Sequence, residues 1–228
     1  LTVIALKQRN LGLFLSATLG VTLAGSLQPG IHSIFSQFLK LKFLNPLTHS
    51  PLVEMALFAL VSLLFYLSIP RSSRNNEVST ASLSSLAPSF AIPVIIAFAF
   101  GWVLNQTSLV SSQNRLQDLF WFVFCIPMGE ELLFRGWLWA IFRSLFKNSV
   151  FTLTNPLPSA LIFSSFSFAL WHLQNSQHIS PTFLAFQVVY TFFTGAWLGY
   201  LRWRTGKISS SILAHALINL AASLPGLL

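Results

Sequence analysis

Glu130, Glu131 and Arg135 fall within GEELLFRG, residues 129–136, inside an otherwise apolar run from about Phe120 to Phe142. An ionised Glu or Arg at mid-membrane depth costs about 3 kcal/mol even on the lenient insertion scale, so such residues turn inward and mark a candidate site. Glu131 and Arg135 are one helical turn apart and share a face, where they can pair. Glu130 lies about 100° further round the helix, with Ile126 and Phe134 at its helical neighbours. Its carboxylate is therefore left for chemistry, and a carboxylate in an apolar site can act as a general base. Pro127 and Gly129, just before it, loosen the helix and can admit water or a substrate backbone. A structural alternative reads the trio as a buried polar clamp between helices.

Two further constellations accompany the glutamates. FALWH, residues 168–172, puts Phe168 and His172 on one helical face, and HALIN, residues 215–219, does the same for His215 and Asn219. A lone intramembrane histidine is more often an interhelical hydrogen-bonder than a catalyst, but two of them beside an unpaired Glu reverse that preference. His32, His49 and His178 fall in loops and read as surface residues.

Elements that could hold these groups follow from composition. Of 228 residues, 54% are hydrophobic and 8% charged, against roughly a quarter charged in a soluble domain; the mean hydropathy is +0.70. An integral membrane protein is implied. Only five acidic residues occur, Glu54, Glu77, Asp118, Glu130 and Glu131, so two of the five sit side by side in one apolar segment. The net charge of +8 comes from cations between apolar segments, without the basic patch that nucleic-acid binding requires. Cys125 is the single cysteine; it excludes an intrachain disulfide and reads as a small buried apolar residue.

The fold class expected is all-α, a polytopic transmembrane helix bundle. Seven apolar spans are predicted near 11–27, 52–70, 90–110, 119–142, 157–173, 182–201 and 208–227. IHSIFSQFLKLKFL, with Lys40 and Lys42, reads as one amphipathic interfacial helix. RSSRNNEVSTASLSSLAPS, Ser-rich and without apolar periodicity, reads as a flexible solvent loop. With the N-terminus inside, the inner segments hold nine Lys and Arg residues and the outer ones three, Lys40, Lys42 and Arg115. The positive-inside bias predicts N-terminus inside and C-terminus outside.

Glu-Glu-x-x-x-Arg, Phe-x-x-x-His and His-x-x-x-Asn, in this order on separate helices, resemble the type II CAAX prenyl endopeptidases and bacteriocin-processing proteases, the CPBP or Abi intramembrane proteases. The resemblance covers about 129–228 and includes the flanking PMGEELLFRGWL and SILAHALINL. It divides the chain into a variable N-terminal transmembrane region, 1–115, and a catalytic helix bundle, 116–228. It implies an intramembrane endopeptidase in which Glu130 is the base, His172 holds the water, and His215 with Asn219 supplies oxyanion donors. Glu131 and Arg135, with Phe168, would then support that set. Two histidines and a carboxylate, His172, His215 and Glu130, can also bind a divalent metal such as zinc with one open position, and the resemblance leaves metal-dependent and metal-free catalysis both open. The implied partners are membrane lipid and a membrane-associated peptide or protein substrate; the implied location is a bacterial plasma membrane.

Other intramembrane protease classes lack their parts. No His-Glu-x-x-His, no Gly-x-Ser-x-Gly and only one Asp occur, which removes zincins, serine hydrolases and aspartyl dyads. The rival reading is a membrane scaffold, chaperone or immunity-type protein that uses the polar trio as helix glue. One feature sits awkwardly: ideal helical rise separates His172 and His215 in depth by about 10 Å, unless the fifth helix continues past Gln174 towards Gln177 or its span is short or tilted.

Overall fold

The computed structural model describes residues 51–69, 81–106, 119–146, 157–177 and 179–226. The first expected span, the interfacial helix, the expected boundary near residue 115, Asp118, and the loop histidines 32, 49 and 178 lie outside the described residues. All regular structure among the described residues is helical. In chain order the helices are α1 (Pro51–Ser68), α2 (Ala91–Gln106), α3 (Ile126–Glu131), α4 (Trp139–Phe146), α5 (Leu157–Trp171), α6 (Pro181–Thr205) and α7 (Ile208–Ser223). Helices thus lie over six of the seven expected spans, and three, Ser84–Val103, Pro181–Thr205 and Ile208–Gly226, are long and apolar enough to cross a membrane by themselves.

Two expectations need amending. The end of the Ser-rich stretch is a 3-10 turn, Ser84–Phe90, because serine hydroxyls close it locally: Ser85 Oγ donates to the Ser82 carbonyl at 2.7 Å. The neighbouring Ala81 N–H is also bonded to the Arg204 carbonyl at 3.0 Å. The fifth helix does continue, but as a 3-10 segment, His172–Gln177. The α-helical rise used for the depth estimate therefore stops at Trp171.

The described chain forms two compact units, one of Ser50–Gly136 with Tyr200–Leu228, the other including Trp137–Gly199. In the first unit α7 packs against α2 and α3, while α1 packs against α3. Small and polar residues make this possible. Ser211, Ala214, His215, Ile218 and Asn219 form the buried face of α7, and Leu213 and Leu217 are exposed on the other side. Membrane helices approach closely where side chains are small. The closest approach is at Gly101 of α2, where a Cβ would collide with the Ala222 carbonyl of α7. Gly136 plays the same part towards α1, since a Cβ there would lie 2.6 Å from the Tyr66 ring.

The second unit is held by aromatic contact between α4 and α5. Phe163 stacks on Phe146 at 4.8 Å between centroids and meets Phe142 at 5.8 Å. Gly199 of α6 lets Trp139 and Leu161 close over it. Three buried serines on α5, Ser164, Ser165 and Ser167, return their hydroxyls to carbonyls of their own helix, which satisfies them without a partner helix.

Overpacking a close helix contact costs about 1 to 3 kcal/mol. Gly101→Ala is expected to lower the melting temperature in detergent, and to lower any activity that depends on α7, because the Ala222 carbonyl must retreat. A melting temperature equal to wild type would show that α2 and α7 do not approach this closely.

Candidate active site

The acidic pair sits on a helix that is not uniformly α. A π-helical segment, Trp121–Cys125, precedes α3, and a second, Leu132–Leu138, follows it. The first has an identifiable cause. Pro127 carries no N–H, and the Ile126 N–H reaches back to the Trp121 carbonyl, five residues away. The Phe122 carbonyl is thereby deprived twice: its α-helical donor, Ile126, is engaged elsewhere, and its π-helical donor would be proline. Asn219 repairs the loss by donating its side-chain N–H to the Phe122 carbonyl at 2.9 Å. Nothing in the spacing of His-x-x-x-Asn announces this, although the missing N–H of Pro127 was the signal available.

Glu131 and Arg135 pair at 2.9 Å, both fully buried. The same carboxylate oxygen, Oε1, also meets His215 Nδ1 at 2.9 Å. An ionised carboxylate only accepts, so Nδ1 carries the proton in this bond. The tautomer follows, and Nε2 of His215 is turned to Glu130, whose Oε2 lies 3.6 Å away. That distance is too long for a direct hydrogen bond and suits a small polar atom bridging the two groups. Glu130 is 7% exposed and Glu131 0%; only the former retains access to its surroundings. The contact between Glu131 and His215 spans 84 positions, and no spacing argument within one helix could reveal it.

Phe168 and His172 belong to the other unit. The Phe168 carbonyl is among the last four of α5, which lack the donors of a continuing α-helix. His172 Nδ1 donates to it at 2.8 Å, and its ring meets the Phe168 ring edge-on at 4.8 Å. A carbonyl can only accept, so this histidine too has its proton on Nδ1 and, when neutral, a lone pair on Nε2.

Within the first unit the structure brings together Glu130, Glu131, Arg135, His215 and Asn219, and within the second Phe168 with His172. Among the described residues no three His, Cys, Asp or Glu side chains are grouped to hold a metal ion. Within the first unit Glu130 and His215 are a two-donor set, where a catalytic zinc site takes three protein ligands, and His172 belongs to the other unit. The resemblance leaves a divalent metal on Glu130, His172 and His215 open, and the first unit holds two of those three donors.

These features define an integral membrane protein built from helices, with a buried site of carboxylate, guanidinium and imidazole groups. Residues 112–221 match the family described as type II CAAX prenyl endopeptidase Rce1-like. The match begins ahead of the motif-bearing helix and takes in Glu130, Glu131, Arg135, Phe168, His172, His215 and Asn219. Comparison with curated proteins and with solved structures gives no match.

Removing one member of a buried ion pair costs about 3 to 5 kcal/mol, while replacing both by apolar residues costs much less. Arg135→Met is therefore expected to destabilise the protein strongly, and Glu131→Leu/Arg135→Met to recover much of the loss in a detergent melt. The double variant is not expected to recover activity, because His215 Nδ1 has lost its acceptor. A double variant no more stable than Arg135→Met would contradict the pairing, and a fully active one would contradict the role given to the Glu131–His215 bond.

Proposed function

We propose that the protein is an intramembrane endopeptidase that hydrolyses a peptide bond of a membrane-associated substrate with a water activated by Glu130. The observation that carries this reading is the 3.6 Å separation of Glu130 Oε2 and His215 Nε2 inside a membrane-embedded unit. The family match at residues 112–221 supports protease activity of the CAAX type.

In the reaction, Glu130 takes a proton from the water as its oxygen attacks the substrate carbonyl carbon. The tetrahedral oxyanion requires hydrogen-bond donors. Asn219 has a second amide N–H besides the one given to Phe122, and His215 donates from Nε2 when its ring carries both protons. Glu130 then returns its proton to the leaving amine, so that the C–N bond breaks and the carboxylate is regenerated. His172, with its Nδ1 proton on the Phe168 carbonyl, offers a lone pair at Nε2 to hold the water. Glu131 fixes the His215 tautomer, and Arg135 balances the charge of Glu131. The substrate is a membrane-associated peptide or protein: a prenylated CAAX terminus in a eukaryotic setting, another membrane peptide in a bacterial one. The charge bias of the loops supports an N-terminus inside.

Glu130→Gln keeps nearly the same volume and removes the base. Loss of a general base lowers turnover by about 100- to 10,000-fold. The variant and wild type are to be compared on a farnesylated CAAX peptide and on an unprenylated membrane peptide library, with melting in detergent as the folding control. Equal turnover by Glu130→Gln would overturn the assignment. Cleavage of neither substrate by wild type would favour a non-proteolytic membrane scaffold.

A further inference from the structure

The polar groups beyond His172 are not used in the reaction above, and they are joined. His172 opens the 3-10 segment His172–Gln177. Three residues on, Asn175 donates its side-chain N–H to Gln187 Oε1 of α6 at 3.0 Å. In a 3-10 helix side chains at i and i+3 eclipse, so Asn175 lies on the same edge of the segment as His172. The Asn175 carbonyl accepts the Ile179 N–H at 3.1 Å, and the Ser180 carbonyl accepts that of Leu184 at 2.9 Å. Ser180 Oγ accepts the Phe183 N–H at 3.4 Å, in the manner of an N-cap. The turn between α5 and α6 is thus stitched to α6 at both its backbone and its side chains, and the amide pair ties the 3-10 segment itself to the body of α6.

We propose that Asn175 and Gln187 are positioning residues for His172: their amide bond sets the seat of the 3-10 segment, and thereby the direction of His172 Nε2 during peptide hydrolysis. The inference rests on the proposed role of His172. Its physical basis is that the ring is fixed to its own helix by the Phe168 carbonyl at 2.8 Å, which orients the imidazole relative to α5, while the amide pair relates the segment that begins at His172 to α6. A 3-10 segment has poorer hydrogen-bond geometry than an α-helix, so without a tether it moves more readily. A part-buried amide pair between neighbouring helices is a directional tether of the kind that membrane helices use.

Isosteric substitutions separate this role from packing. In Asn175→Asp, Gln187 can rotate its amide and donate to the new carboxylate; in Gln187→Glu, Asn175 still donates. Each single variant keeps the bond, whereas Asn175→Asp/Gln187→Glu sets two acceptors against each other. The full-length protein is to be assayed with the farnesylated CAAX peptide, together with hydrogen exchange of the peptide covering residues 172–180. Both single variants are expected to retain kcat within about threefold. The double variant is expected to lose at least about tenfold in kcat with KM nearly unchanged, and to exchange faster at residues 172–180 while exchange in α7 is unaltered. Faster exchange with undiminished kcat overturns the proposal, as does a double variant that exchanges like wild type. A double variant that also exchanges faster throughout α7 overturns it in favour of general destabilisation. Glu130→Gln, run alongside, tells the two failures apart: wild-type turnover there defeats the hydrolytic reading, a result that no change at Asn175 or Gln187 can produce.

Discussion

Glu131 Oε1 accepts from Arg135 and from His215, each at 2.9 Å, and the rest of the first unit is built around the need to bury that arrangement. A charge removed from water is tolerable only when paired and hydrogen-bonded. Arg135 supplies the countercharge from one turn along the chain, and His215 supplies a second donor from α7. The consequence is mechanical as well as electrostatic. A bond between groups 84 positions apart fixes the rotation of α7 relative to α3, so His215 cannot turn its Nε2 away from Glu130 without stripping Glu131 of a donor. The two adjacent glutamates are consequently different chemical objects, one consumed by structure and one held 3.6 Å from a ring nitrogen.

A second constraint comes from the backbone. Proline inside a helix leaves a carbonyl without its donor, and in a membrane water is not at hand to replace it. Here the widened turn at Trp121–Cys125 shifts the ladder, and Asn219 fills the place that remains at Phe122. The repair and the ion pair use residues one turn apart on α7, His215 and Asn219. One face of one helix therefore answers both the buried charge and the orphaned carbonyl. That face can reach the site because Gly101 of α2, without a side chain, lets the Ala222 carbonyl of α7 approach closely.

Local features were legible in the sequence. Four-residue spacing was enough to pair Glu131 with Arg135, since a helical turn fixes their geometry, and apolar runs were enough to locate the helices from α1 to α7. Long-range partners were not legible. Both Arg135 and His215 were visible as residues needing an acceptor, yet that they share one oxygen depends on how α7 is rotated, which no periodicity encodes. Asn219 was expected to donate beside His215, and its bond to Phe122 arises from a π turn that apolar pattern does not distinguish from an α-helix. The 3-10 segment after Trp171 was similarly hidden. The difference in depth between His172 and His215 gave a reason to continue the fifth helix towards Gln177, but the change of pitch depends on tertiary contacts such as that of Asn175 with Gln187.

The two histidines are anchored through the same nitrogen to different partners, and that difference assigns them different capacities. His215 gives its Nδ1 proton to a carboxylate, and such a bond strengthens when the ring carries charge. His172 gives its own to a neutral carbonyl at 2.8 Å, which orients the ring from the end of its own helix. In the proposed reaction the charge that appears on the oxyanion calls for a donor able to become cationic, and the water calls for a neutral acceptor. A histidine held by Glu131 suits the first demand and one held by the Phe168 carbonyl suits the second. The residue types alone do not divide these tasks; the atoms to which each Nδ1 is bound do.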